Sequence, residues 1–253
     1  MKRFLVFFSF GLLFPGLCVP GKAENTSSLA SEADAAYAKR EDPPQAKIAL
    51  VYYERALFLS AASSAAVAGA HAPIELYWKA SRAAWWLGKN AGSRKDQLAD
   101  FQKGIDFARK ATELDPDCVE AHFWLGGNEG SYGEAKGVLK SLFLVKRIRR
   151  EMAEVIRIND HYLGGGAYRV LGVVDYKVPG FAGGSKTRAE RELRKALKMD
   201  PSDPFTHYYL AELYRMTHRP EKAQAEIDAL RTLRVPPDSL PELHMLLKEI
   251  PSR

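Results

Sequence analysis

One spacing recurs three times along this chain and limits what it can fold into. Gly104, Ala108, Ala111 and Pro116, then Ala189, Leu193, Ala196 and Pro201, then Ala223, Ile227, Leu230 and Val235 (followed by Pro236), all sit at offsets 0, 4, 7 and 12. Steps of four and three put the first three members on one face of a helix, and the closing proline region stops it. Partner segments carry Leu-Gly or Leu-Ala in matching places, at Leu125-Gly126, Leu171-Gly172 and Leu210-Ala211. One such hairpin cannot bury its apolar stripe alone, so three or more must stack. The expectation is an all-α superhelix of helical hairpins, a solenoid whose first helices line a concave face.

These offsets reproduce the 34-residue tetratricopeptide unit, in which small residues let two helices approach and aromatics fill the groove to the next unit. Residues 204–236 match best, with Tyr214 at the aromatic position. Repeat-like units are expected at about 33–62, 75–118, 119–163, 165–203 and 204–236, with an insertion around Ala91 to Gln97. Ser60 to Pro73, rich in Ala and Ser, reads as a connector or a lengthened helix end. Residues 239–250 resemble a capping helix. Ser239 and Glu242 fit a capping box, and Leu240, Leu243, Leu246, Leu247 and Ile250 form one stripe.

The N-terminus reads differently. Lys2 and Arg3 precede an apolar run, Phe4 to Leu17, and Gly21 and Ala23 occupy the small positions before a cut at Glu24. That pattern is a secretory signal peptide over residues 1–23, too short an apolar run to span a bilayer comfortably. The remaining 24–253 are expected to form a single solenoid, exported to the periplasm. The 253 residues carry a formal charge of +6, from 37 Lys plus Arg against 31 Asp plus Glu. Removing Lys2, Arg3 and Lys22 leaves 34 against 31, a net +3, and with it goes most of the electrostatic case for a nucleic-acid partner. Of the two cysteines, Cys18 lies in the signal segment and Cys118 alone remains, so no intramolecular disulfide forms. Cys18 also raises a lipoprotein reading, against which Leu17 stands where a lipobox wants a small residue.

The middle of the chain departs from a plain repeat. Phe123 to Gly133 holds four glycines where a first helix should run, and each glycine in a helix costs about 1 kcal/mol relative to alanine. Close approach of another helix, or of a ligand, accounts for such a stretch. A long amphipathic helix over 138–158 follows. Leu142, Val145, Ile148, Met152, Val155 and Ile156 lie on one side, and a basic patch of Lys140, Lys146, Arg147, Arg149 and Arg150 on the other. The patch is either a solvated face or a dock for an acidic partner, a membrane surface or a carboxylate. Gly180 to Thr187 reads G-F-A-G-G-S-K-T, one residue from a phosphate-binding loop, but Ser185 replaces the glycine before the lysine and the repeat phase makes 168–178 a helix. The six histidines, including His71, show no metal-ligand spacing, and no nucleophile motif is present. No catalytic residue, metal or cofactor is expected.

The order W-L-G-G-N, Y-G-E-A-K-G, a basic helix, G-G-G-A-Y-R-V-L-G and V-P-G-F-A-G-G resembles the TatT family, the T component of tetratricopeptide-associated TRAP transporters, over roughly Glu75 to Leu233. The resemblance implies a periplasmic, non-enzymatic and oligomeric adaptor. Its partner would be a TRAP-type substrate-binding protein that delivers small organic ligands, hydrophobic or carboxylate-bearing. A general envelope scaffold for protein–protein interaction is the alternative. Independently of the resemblance, the repeat phase points Lys79, Ala83 and Trp86, Phe123 and Gly127, Arg169, Val173 and Tyr176, and Tyr208, Glu212 and Arg215 into the groove, and Asn128 joins them from the glycine stretch. Aromatics mixed with Arg and Lys suit an anionic or partly apolar ligand.

Overall fold

The computed structural model describes residues 25–64 and 73–250. The signal-like segment with Cys18, and His71 with the middle of the Ala/Ser stretch, lie outside the described residues. Ten helices pair into five hairpins: α1 (Thr26–Ala38) with α2 (Pro43–Ser64), α3 (Ile74–Asn90) with α4 (Arg94–Leu114), α5 (Val119–Lys136) with α6 (Leu142–Asn159), α7 (Gly166–Lys177) with α8 (Lys186–Met199), and α9 (Pro204–Met216) with α10 (Pro220–Thr232). A last helix, α11 (Leu240–Glu249), follows. Among the described residues there is no strand. The protein is all-α, as the spacing predicts.

The recurring positions explain the pairing. Gly104, Ala108 and Ala111 of α4, Ala189, Leu193 and Ala196 of α8, and Ala223, Ile227 and Leu230 of α10 are all buried. A Cβ at Gly104 would stand 2.2 Å from Asn128 Oδ1, so the absence of a side chain lets α4 meet α5. Helices α4 and α8 end just ahead of Pro116 and Pro201. The expected insertion at 91–97 is taken up by a short turn and the first turn of an unusually long α4, with the Ser93 side chain accepting from Asp96 N at 3.1 Å.

The two glycine loops are built differently from each other. Gly164 (φ 62°) and Gly165 (φ 81°) take left-handed backbone, which ends the α6 region and starts α7. At Gly184 the reason is space: a Cβ there would stand 1.7 Å from Val178 O. The loop over 179–184 is tied to buried Asp175, whose carboxylate takes both Arg149 and Arg188 and whose backbone carbonyl accepts from Ser185 N at 2.7 Å. Helix α7 precedes this loop where a phosphate-binding loop requires a strand, so the G-F-A-G-G-S-K-T stretch is an inter-helix turn.

The C-terminus corrects one expectation and extends another. Ser239 makes no side-chain cap on α11. Glu242, its expected capping-box partner, instead accepts from Arg40 at 2.5 and 3.1 Å, at the far end of the chain, and Arg40 also donates to Asp238 O. His244 reaches Glu41 at 2.9 Å, and Asn90 donates to Met245 Sδ at 3.7 Å. Leu243, Met245 and Leu246 join a single buried cluster with Leu29, Tyr37, Leu50, Tyr53, Leu76 and Trp86. The solenoid therefore closes, and α11 covers apolar surface of the first hairpins as well as the end of the last.

Candidate functional site

Closure turns the concave face into a cavity of about 800 Å³. It is lined from the first helix of every hairpin (α1, α3, α5, α7 and α9), from one face of α6, and from the stretch Pro236 to Glu242. On α3 the buried Ala80, Ala83 and Ala84 pack against neighbouring helices, which leaves Trp78, Arg82 and Trp85 to face the cavity. The aromatic wall continues from Trp85 to Trp124 (ring centroids 5.7 Å apart) and to Phe205 (5.9 Å), and from Phe123 to Tyr162 (5.3 Å). Val170, Val173 and Val174 on α7 and Leu144, Val145 and Ile148 on α6 add an aliphatic side.

The glycines of α5 serve both purposes that a glycine-rich helix allows. A Cβ at Gly126 would meet Met152 Cε at 2.6 Å, so that position is close packing against α6. At Gly127 and Gly130, both on the cavity wall, a Cβ would meet nothing within 4 Å. Those two open space inside the cavity.

Most of the cavity's cations are neutralised within the chain. Lys79 binds Asp34 at 2.8 Å and Glu75 at 2.6 Å, Arg169 binds Asp203 at 2.6 Å, Arg40 binds Glu242, and Lys177 binds Glu134. Burial opposes ionisation of the Glu134 carboxyl, but the Lys177 ammonium outweighs it and holds that group below its usual range. Arg82 is the exception. Among the described residues it has no carboxylate within ion-pair distance, and its buried Nε has no hydrogen-bond partner. Its guanidinium lies over the Tyr37 ring (4.1 Å) and the Trp78 ring (5.2 Å) and near the Tyr53 hydroxyl. Burial pushes the Tyr37 hydroxyl up to about 12, so that ring stays neutral at physiological pH, and the Tyr53 hydroxyl stands between Arg82 and Asp34, to which it donates at 2.5 Å. Among the described residues the lining acids Glu120, Asp200 and Asp238 also form no ion pair; Glu120 accepts from Cys118 Sγ at 3.4 Å and Asp200 from the Ser202 amide at 2.8 Å. The arrangement is an aromatic-walled groove in which, among the described residues, Arg82 is the lining cation without a carboxylate, set apart from the unpaired acids Glu120, Asp200 and Asp238.

Of the residues the sequence places in the groove, the structure brings Lys79, Phe123, Arg169, Gly127 and Val173 to the cavity. Trp86, Asn128 and Tyr176 are buried in packing instead. Trp86 Nε1 donates to Arg40 O at 2.9 Å, Asn128 bonds Ser81 and Trp124 O, and the Tyr176 hydroxyl donates to Glu212 at 2.5 Å. Tyr208 donates to Glu249 at 2.7 Å and does not line the cavity, and Arg215 is exposed away from it. On α3 the repeat phase falls one residue late, choosing Lys79, Ala83 and Trp86 where Trp78, Arg82 and Trp85 provide more of the wall. The three alanines carry the signal, since small residues mark the packed face.

The basic patch is not one surface. Arg147 pairs with buried Glu129, Arg149 with buried Asp175 and Arg150 with buried Glu151, while Lys140 and Lys146 are exposed and have no ion-pair partner among the described residues. Burial pushes the Cys118 thiol up to about 11, so it is protonated at neutral pH and is no activated nucleophile. Among the described residues no group of three His, Cys, Asp or Glu is placed to hold a metal, and no helix is long and apolar enough to cross a membrane.

Fold and groove together define a tetratricopeptide-type helical-repeat protein, a class that typically scaffolds or binds other proteins rather than performing catalysis. A tetratricopeptide-repeat model matches residues 192–225. The model described as regulator of microtubule dynamics protein 1-3 matches residues 30–181, more than half of the sequence, and the chain belongs to that family. Among solved structures it is similar to a thermophilic TPR protein of Thermus thermophilus, with a TM-score of 0.59 at 17% identity over 88% of this chain and 99% of that one. It is also similar to MamA, residue 41 to the end, from Desulfovibrio magneticus, with a TM-score of 0.47 at 14% identity over 88% and 98%. The first of these likenesses supports the fold. No curated protein matches the chain.

Proposed function

We propose that this protein is a non-catalytic adaptor of the cell envelope whose closed groove holds a partly apolar ligand or peptide segment bearing a carboxylate. We further propose that it serves TRAP-type solute uptake beside a periplasmic substrate-binding protein. The observation that carries the groove reading is Arg82, a cation facing about 800 Å³ of aromatic-walled space with no carboxylate of its own among the described residues. Arg82 is half-buried with its Nε inaccessible, and taking such a charge partly out of water is unfavourable unless an anion completes it. The uptake reading is supported by the signal-like N-terminus and by a glycine-loop order that resembles that of transporter T components.

Native mass spectrometry of the purified chain tests the groove. A retained small anion in the wild type that is lost in Arg82→Gln supports ligand handling, whereas an empty groove in both favours the general scaffold. Affinity capture from the source organism's envelope tests the uptake role, and failure to recover any solute-binding protein or permease subunit counts against it. The family description supplies a second reading, a cytoskeletal partner. Co-sedimentation with polymerised tubulin addresses it, and a pellet free of the protein removes it.

A further inference from the structure

The cavity leaves one feature of the chain unexplained. Between Val138 and Arg150 there are five basic residues and no acidic one. The three arginines bind buried carboxylates, but Lys140 and Lys146 do not. Beside them Leu139 is 66% exposed and Phe143 60% exposed, two large apolar side chains four residues apart on the turn into α6. None of these four lines the cavity, which takes Leu144, Val145 and Ile148 from the opposite face of the same helix. More cations surround the ring. Lys136 Nζ stands 5.8 Å from the Phe143 centroid, and Arg94 donates to the Lys136 carbonyl at 2.6 Å. The nearby acids are already engaged: Glu129 by Arg147, Glu134 by Lys177 and Asp106 by Arg109.

We infer that this face seats the protein on the surface of an anionic lipid bilayer, with Leu139 and Phe143 entering the headgroup boundary and Lys136, Lys140, Lys146 and Arg94 meeting lipid phosphates. A short amphipathic stretch with Lys and Arg around protruding Leu and Phe is the composition of an interfacial helix. Protein–protein interfaces show the reverse, with lysine depleted from a packed centre. Lys140 and Lys146 are unpaired among the described residues and the apolar groups project singly, so shape complementarity is not needed. Diffuse negative charge and a soft apolar layer are sufficient.

The full chain is assayed for co-sedimentation with vesicles of phosphatidylcholine alone and of phosphatidylcholine with equal phosphatidylglycerol. The wild type is expected to prefer the anionic vesicles. Lys140→Gln/Lys146→Gln is expected to lower that partition about 30-fold, from roughly fivefold per lysine. Leu139→Ser/Phe143→Ser is expected to weaken it while leaving the circular dichroism and thermal midpoint unchanged. Both variants keep the apolar N-terminal run, so its own membrane affinity cancels in the comparison. Phe143→Trp supplies a direct probe, since brominated phosphatidylglycerol should quench the fluorescence that this variant adds over wild type. Partition unchanged in both double variants, or no added quenching at 143, overturns the inference. So does a result in which the lysine pair matters equally for soluble polyglutamate while the Leu/Phe pair has no effect on vesicles, which would mark a polyanion or acidic-protein site.

Discussion

Gly184 and Gly127 are both glycines next to functional elements, yet replacing them should have opposite effects. At Gly184 the obstacle to a Cβ is the backbone oxygen of Val178 at 1.7 Å, which no rotamer change can relieve. Gly184→Ala should therefore destabilise the protein by about 2–3 kcal/mol in urea unfolding, as an overpacked site does. At Gly127, within helix α5, a new side chain meets open cavity. Gly127→Leu should leave stability equal or higher by up to about 1 kcal/mol, through helix propensity, while filling the groove. Native mass spectrometry of that variant should show no retained ligand. A stable variant that still carries the wild-type ligand would place the binding site elsewhere. The glycine-rich stretch is visible in the sequence, but the role of each glycine depends on what lies across from it, which no local pattern encodes.

At the scale of elements, the second and fourth inter-hairpin turns share a latch. His122, near the start of α5, places Nδ1 2.7 Å from Glu151 of α6 and Nε2 2.9 Å from the Pro116 carbonyl. His207, at the same offset from Pro201, places Nδ1 2.7 Å from Glu226 of α10 and Nε2 3.1 Å from the Pro201 carbonyl. Carboxylate and carbonyl are both acceptors, so each ring satisfies both contacts only as imidazolium. Burial acts against the charged rings, but the carboxylates and carbonyls outweigh it and raise both histidines above their ordinary value. Such a contribution is fully present below the unfolded value of about 6.5 and is lost as pH rises through the folded value. Glu151 is held below its ordinary range once His122 and Arg150 outweigh its burial, so its share is lost on acidification through that lowered value. The urea midpoint should fall from pH 6 to pH 9, and His122→Gln/His207→Gln should flatten that slope. A wild-type midpoint that is level or rising over this interval would refute the latch. The histidines are plain in the sequence and lack metal spacing. Their partners one helix away become apparent only when α5 meets α6 and α9 meets α10.

For the whole molecule, the decisive contact is the one between the ends. Arg40 and Glu242 are 6% and 15% exposed at the side chain, and removing one partner of a buried pair leaves the other uncompensated. Arg40→Ala should cost about 3 kcal/mol in unfolding free energy and, by releasing α11, raise the radius of gyration measured by X-ray scattering. An unchanged radius would mean that the apolar contacts of Leu243, Met245 and Leu246 hold the closure by themselves. The hairpins, their order and the all-α class follow from the sequence alone, because the 4-and-3 spacing of small and bulky residues and the prolines after it act within one helix and its neighbour. Closure and the cavity it creates depend on residues some two hundred positions apart. They were decided only by the tertiary structure, since the angle that each hairpin makes with the next accumulates along the chain, and that sum determines whether the solenoid's ends meet.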